Sequence, residues 1–340
     1  MKKKDLLFTF DYELFLGENS GSVKNCIIEP TEKVIEILDE FKVKAIFFVD
    51  CTYLYQLKKK SIEFPKASED LKKIIDQIHE LVLSGHDIYP HIHPHWVDAQ
   101  YDPSKNQWSL LNIDKYRFDS LSASEQDIVF RSSVAYLTDI IKYVKKDYKL
   151  NCYRAGGWCI QPFSNFYTFF KEYQIEAEFS VLGGSCKDTN ASKFDFSFVE
   201  PNSKPYYFED NVVQKIDNGT FKQYPISSIR LKKKSILNEL SKRVLWRIPL
   251  GQKHGDGRGV MFKSKIGNTD YDNTMEMASI ENMTIVKLAK YKSFLKSNSY
   301  MQLISHPKML SPHNLYVLRK FLIFADNKFM INTDWRKIRF

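Results

Sequence analysis

Short apolar runs alternate along the chain with stretches whose apolar positions recur at helical spacing. Residues 6–10 read as a buried strand that stops at Asp11 and Glu13. In 31–41, Val34, Ile35, Leu38 and Phe41 share one helical face, and Pro30-Thr31 is a start signal. Residues 43–49 are β-branched and aromatic, a second buried strand. A long amphipathic helix over 68–83 is closed by Gly85, and 86–88 resume a short strand. The alternation continues with a helix over 123–146, a strand at 152–154 and a helix over 163–173. Strands at 177–181 and 224–229, a helix over 281–298, a strand at 300–304 and a last helix over 314–326 complete it. Strand–helix repetition implies parallel strands joined by helical crossovers, an α/β architecture. Asp11, His91, Arg154 and His306 then all fall at the C-terminal ends of strands. In a barrel of such units that rim is where active sites lie.

Composition narrows the class. At 340 residues, with 43% hydrophobic and 14% aromatic content, the chain can bury a sizeable core in one large or two ordinary domains. Glycine and proline are spread thinly, no linker or repeat stands out, and a single domain over 1–340 is expected, with a basic insertion or lid around 230–280. The net charge of +9 admits nucleic acid, a membrane surface or a phosphorylated partner. No zinc-finger spacing, recognition helix or aromatic RNA-binding motif accompanies it, so nucleic acid is not expected. Five widely spaced cysteines fit reduced thiols rather than a disulfide framework. The basic N-terminus lacks a signal-like apolar core because Asp5, Asp11 and Glu13 interrupt it, and no window is apolar enough to span a bilayer. A cytoplasmic address is the simplest expectation.

The densest chemistry lies in 85–96, where His91, His93 and His95 occupy alternate positions. Neutral imidazole is the commonest biological metal ligand, and a run this dense is costly to bury unless a cation coordinates it. The competing readings are an exposed histidine-rich loop and a satisfied core cluster.

Four segments in this order resemble the polysaccharide deacetylase family, carbohydrate esterase family 4, also called the NodB-homology domain. They are Thr9-Phe10-Asp11-Tyr12-Glu13, the Gly-His-Asp-Ile…His-x-x-x-His run over 85–95, Arg154-Ala155-Gly156-Gly157-Trp158, and Leu303-Ile304-Ser305-His306-Pro307. Residues 45–49 also fit the strand that lies between the first two motifs. The Asp-Tyr-Glu and His-Ile-His-Pro-His-Trp texture resembles a divergent subgroup of surface-polysaccharide (O-antigen or capsule) clusters. The resemblance covers most of the chain and implies a distorted (β/α)7-type barrel, the glycoside hydrolase/deacetylase fold. It also implies one divalent metal ion, zinc by default, with cobalt, nickel and manganese equally compatible with the ligand types.

Residue by residue, His91 and His95 match the family's two metal histidines. His93 has no counterpart there; in an extended segment it could point away from the pair, and the alternative is a ligand or a group that supports the ligands. The usual third ligand is an Asp at the position of Tyr12. Glu13, which shares a face with Asp11 in an extended chain, is the expected replacement. The alternatives are a crippled site, or Asp11 as the ligand with the base elsewhere. By resemblance Asp11 is the general base, Arg154 orients it, and His306 is the general acid. His306 needs a carboxylate to keep it protonated, for which Asp195 is a candidate. Trp96 and Trp158 read either as sugar platforms or as core.

The implied activity is removal of an acetyl group from an N-acetylated sugar or glycan in surface-polysaccharide synthesis. Two rival readings are a hydrolase of a non-sugar C–N bond on the same fold and a non-catalytic glycan-binding protein. Residues 230–248 combine seven Lys and Arg positions with an apolar helical face, a pattern that suits either an ordinary surface helix or contact with an anionic membrane and a lipid-diphosphate-linked substrate. The glycine-rich turn 254–259 reads as a loop or as a lid over substrate.

Overall fold

The computed structural model describes residues 1–110, 112–231, 247–259 and 275–340. Most of the basic amphipathic stretch, and residues 260–274 of the expected lid region, lie outside the described residues.

Among the described residues nine strands build the principal sheet: β1 (Lys2–Tyr12), β2 (Ile46–Asp50), β3 (Asp87–Ile92), β4 (Cys152–Ala155), β5 (Ala177–Glu178), β6 (Tyr206–Phe208), β7 (Phe221–Gln223), β8 (Tyr300–Ser305) and β9 (Phe329–Asn332). Their order is β6-β7-β5-β4-β3-β2-β1-β8, with β9 beside the start of β1, and all pairs are parallel except β6 with β7. After Gln223 the chain runs between the end of β5 and β8. On one side the Tyr224 and Ile226 amides donate to the carbonyls of Glu178 and Val181 (2.9 and 2.8 Å), and on the other the Ser227 amide donates to that of Gln302 (3.3 Å). The sheet therefore curls until its ends meet through this segment. β1, β2, β3, β4, β5, β7 and β8 form the staves of an irregular parallel barrel, as the strand–helix alternation implies.

Among the described residues seven α-helices pack around it: α1 (Glu29–Glu40), α2 (Cys51–Ser61), α3 (Pro65–Leu83), α4 (Ala123–Val144), α5 (Ser164–Glu172), α6 (Leu288–Ser297) and α7 (Pro312–Lys328). The strands are nearly continuous apolar runs because both faces are covered. Phe8, Phe10, Phe47 and Phe48 are at most 1% exposed, and Phe10 stacks on Phe47 with centroids 5.1 Å apart. Burying each such side chain contributes on the order of 1.5–3 kcal/mol. No helix among the described residues is long and apolar enough to cross a membrane.

Two helices depart from the sequence pattern. The periodicity gave no signal for α2, which starts where the Asp50 carboxylate accepts from the Tyr53 amide (3.1 Å) and buries Leu54 and Leu57. The helix expected over 281–298 begins only at Leu288. Before it, Ser279 Oγ accepts from the Asn282 amide (3.1 Å) and Asn314 Nδ2 donates to the carbonyls of Glu281 and Met283 (3.1 and 3.3 Å). Side-chain groups thus take backbone partners a helix would have used, and a turn results.

Candidate metal centre and catalytic rim

Register sets the level of the site. Asp11 is opposite Phe48, Asp50 is opposite His91, and His91 is opposite Arg154 across three consecutive ladders. All belong to C-terminal strand ends, so residues up to 143 positions apart meet at one rim.

Asp11 and Glu13 share a face and Tyr12 takes the other, because side chains alternate along extended backbone. The Tyr12 hydroxyl is buried and donates to Gln77 Oε1 of α3 at 2.8 Å, away from the site. A carboxylate at position 12 would therefore face the helix layer, and Glu13 is the next group that reaches the rim.

The histidine run divides in an unexpected place. Backbone extended through His93 puts His91 and His93 on one face. The short 3-10 turn Pro94–Val97 then carries His95 out of line. The ligand atoms of Glu13, His91 and His93 lie within 4.8 Å of one another, and all three residues are buried. His95 is not in that group. Its ring stacks on Tyr116 with centroids 4.8 Å apart and lies 5.3 Å from the ring of His93. Burial and the neighbouring His93 push its pKa well below the ordinary value. The expectation that His93 points away from the ligand pair is thus corrected, since positions i and i+2 of a strand share a face.

The three donors fit a divalent cation. Glu13 Oε2 is 2.8 Å from His93 Nε2 and 3.4 Å from His91 Nε2, and the two Nε2 atoms are 3.0 Å apart. Ligands sharing an ion tetrahedrally at about 2.1 Å are separated by about 3.4 Å. Glu13 Oε2 is buried without a hydrogen-bond partner. His91 Nδ1 donates to the Arg154 carbonyl at 2.8 Å, which leaves the Nε2 lone pair facing the other donors. Burial opposes ionisation of Glu13, yet the Lys308 ammonium and the imidazoles outweigh it and hold the carboxyl well below the usual range.

Asp11 lies on one side of this group. Arg154, with none of its surface exposed, donates from Nη1 to Asp11 Oδ1 (2.6 Å), from Nη2 to Thr9 Oγ1 (2.8 Å) and from Nε to the Phe179 carbonyl (3.1 Å). Its guanidinium also sits over the Phe48 ring, 4.2 Å from the centroid. Asp11 Oδ2 is left 3.9 Å from His91 Nε2 and 3.6 Å from His306 Nε2. Burial would raise the Asp11 pKa, but Arg154, His91 and His306 together bring it below the usual value.

His306 lies opposite, with 24% of its side chain exposed against 5% for Asp11 and Glu13, and is the most open of these groups. Its Nδ1 meets Glu281 Oε1 at 3.1 Å. Burial disfavours the imidazolium, but the Glu281 hydrogen bond and the charges of Glu281, Asp11 and Glu13 prevail and raise the pKa. The carboxylate partner is therefore Glu281 and not Asp195, which is on an exposed hairpin bonded to Gln161 and Ser197. Sequence reasoning missed Glu281 because only the turn before α6 aims it at the rim.

Two more buried groups escaped the sequence. Asp50 accepts a short hydrogen bond from Trp96 Nε1, and burial pushes its carboxyl up to about 6. Trp96 is therefore core with one polar contact, whereas Trp158 is half-buried and edge-on to Phe194 at 5.8 Å. Lys308 donates to Glu13 Oε1 (2.8 Å) and to the Leu14 carbonyl (2.5 Å). The glycine-rich segment lies over the loop after Glu13: the His254 and Gly255 amides donate to the carbonyls of Leu310 and Lys308, and that of Arg258 to Asn19, each at 2.9 Å. Gly156 allows close approach of two strand ends, since a Cβ there would sit 2.3 Å from the Ile92 carbonyl oxygen and 2.7 Å from His93 Nδ1. A separate cavity of about 720 Å³ beside the 186–195 hairpin is lined by Gln161, Phe163, Asp188 and Phe194 among others, and by none of the site residues.

No family model matches the chain, and no curated protein matches it. Solved structures resemble it in fold. A protein from Mycobacterium smegmatis assigned as a polysaccharide deacetylase aligns at 13% identity over 96% of this chain and 85% of that one, with a TM-score of 0.48. The 4-alpha-glucanotransferase of Thermococcus litoralis aligns at 14% identity over 98% of this chain and 40% of that one (TM-score 0.46). An allantoinase aligns at 10% identity over 96% and 85% (TM-score 0.45). Likeness at this level is one of fold, so the chemistry has to be read from the residues.

Proposed function

We propose that the protein is a divalent-metal-dependent deacetylase of an N-acetylated sugar, acting in the synthesis of a surface polysaccharide of the O-antigen or capsule type. The observation that carries this reading is the meeting, at one rim, of the Glu13–His91–His93 donor set, the Asp11–Arg154 pair and the His306–Glu281 pair. The sequence segments resembling deacetylases contain every one of those residues except Glu281.

Glu13, His91 and His93 would hold the ion, and zinc is the default for one carboxylate and two imidazoles. When bound, the ion supplies Lewis acidity to the acetamide carbonyl and lowers the pKa of water. The protein does the rest. Arg154 pins Asp11 Oδ1 and keeps the carboxylate ionised, so Oδ2 is the atom that accepts the proton of the attacking water. His306 Nε2 faces the same space and gives its proton to the departing amine, which is a poor leaving group without it. Glu281 holds His306 Nδ1 and favours the imidazolium that this step needs. Trp158, half-buried near the rim, offers an apolar face for a sugar ring.

The test is acetate release from N-acetylated sugars and their nucleotide- and lipid-diphosphate-linked forms, with and without chelator, for wild type and Asp11→Asn. Release should need the metal and fall by about 10²–10⁴ in the variant, the usual contribution of general acid–base catalysis. Release unchanged by either treatment defeats the proposal.

A further inference from the structure

Glu13 is bridged. Its Oε2 faces the imidazoles of His93 and His91, and its Oε1 accepts from Lys308 Nζ at 2.8 Å and lies 3.7 Å from His306 Nε2. The lysine is not a solvated cation that happens to be near. It is 5% exposed, its ammonium also donates to the Leu14 carbonyl at 2.5 Å, and it lies 5.0 Å from the centroid of the Phe15 ring. The Lys308 carbonyl is itself held by the Gly255 amide at 2.9 Å. The ammonium is thus fixed from several directions, and so is the carboxylate oxygen that it holds.

We propose that Lys308 is a positioning residue that makes Glu13 a one-oxygen metal ligand and so keeps a coordination position free for water. The inference rests on the metal centre proposed above. A free carboxylate can close on a cation through both oxygens, and Glu has one more rotatable bond than Asp with which to do so. A catalytic centre of three protein ligands works only if its remaining position stays open. Oε1 cannot turn toward the imidazoles without breaking a charge-assisted hydrogen bond in a buried setting. The buried ammonium also repels a cation, so its presence costs affinity. What it provides is coordination mode. This explains how a glutamate one position beyond the usual aspartate can serve the same centre.

The test uses the full chain loaded with Co²⁺, whose visible absorption per bound ion reports coordination number. Wild type should show the intense absorption of a four-coordinate ion. Lys308→Met should bind cobalt as tightly or more tightly, with absorption per ion reduced several-fold, because Glu13 then closes through both oxygens. Lys308→Arg, which keeps a cationic donor, should restore the wild-type spectrum. If Lys308→Met does not fold, Lys308→Gln, uncharged with a polar amide tip, takes its place. A merely structural lysine would change the melting temperature and leave the absorption per ion unaltered, and that result overturns the inference. Weaker cobalt binding in the uncharged variants overturns it as well. If wild type binds no cobalt, the metal reading falls and this inference with it. If wild type binds cobalt and releases acetate while the variants keep its spectrum, only the inference falls.

Discussion

Replacing Arg154 by Met removes the cation that Asp11 was buried against. The side chain has no exposed surface, and the variant removes together the hydrogen bonds that Asp11 Oδ1, Thr9 Oγ1 and the Phe179 carbonyl accept. Breaking a buried ion pair from one side costs about 3–5 kcal/mol, because the remaining charge is left without compensation. Since one decade in an equilibrium constant is about 1.4 kcal/mol, the folded-to-unfolded ratio should drop by about two to four decades at pH 7. The pH dependence carries a sign. In wild type the Asp11 pKa is held below its usual value, so its contribution is present at neutral pH and disappears only as acid protonates the carboxylate. Without Arg154, burial dominates and the folded-state pKa rises above the unfolded one. The deficit is then largest at neutral pH and shrinks as the pH falls toward 5. Urea denaturation of wild type and Arg154→Met in chelator, at several pH values from 5 to 7.5, measures both effects. Adding Asp11→Asn should recover part of the loss, because the double variant buries no charge. A loss under about 1 kcal/mol, independent of pH and additive with Asp11→Asn, would refute the reasoning.

Other outcomes follow from single contacts. Glu281→Gln removes the carboxylate that favours protonated His306, so the alkaline limb of the kcat–pH profile should move to lower pH; an unmoved limb separates Glu281 from the proton donor. His86 is 1% exposed, its Nδ1 accepts from the Ala45 amide at 3.1 Å, and burial with Lys44 nearby lowers its pKa to about 4. Because the folded pKa is depressed, up to about 3 kcal/mol of stability present above pH 6.5 should be lost on going toward pH 4. His86→Asn, which keeps an acceptor for that amide, should flatten this part of the stability–pH curve. Gly156→Ala would drive a methyl into the Ile92 carbonyl and the His93 ring, so it should cost about 1–3 kcal/mol of stability and weaken cobalt binding, as read by thermal melts and metal titration.

The sequence by itself determined the period of the elements and the placement of chemistry at strand ends. Apolar runs ending in Asp11, His91, Arg154 and His306 alternate with amphipathic helices, and that order specifies parallel strands whose ends gather at one rim. The facing of Glu13 with Asp11 was also legible, because alternation is a local property of extended backbone; that Tyr12 meets the helix layer through Gln77 was decided by the packing. What lay beyond it depended on where turns fall and how far side chains reach. The turn at Pro94 separates His95 from His91 and brings His93 into the donor group. A hydrogen bond accepted by Ser279 and one donated by Asn314 replace the first turns of a helix and aim Glu281 at His306. Lys308 meets Glu13 across 295 positions of sequence because β1 and β8 are neighbours in register. A side chain's partner on another strand is decided by the closing of the sheet, and no periodicity within one strand carries that information.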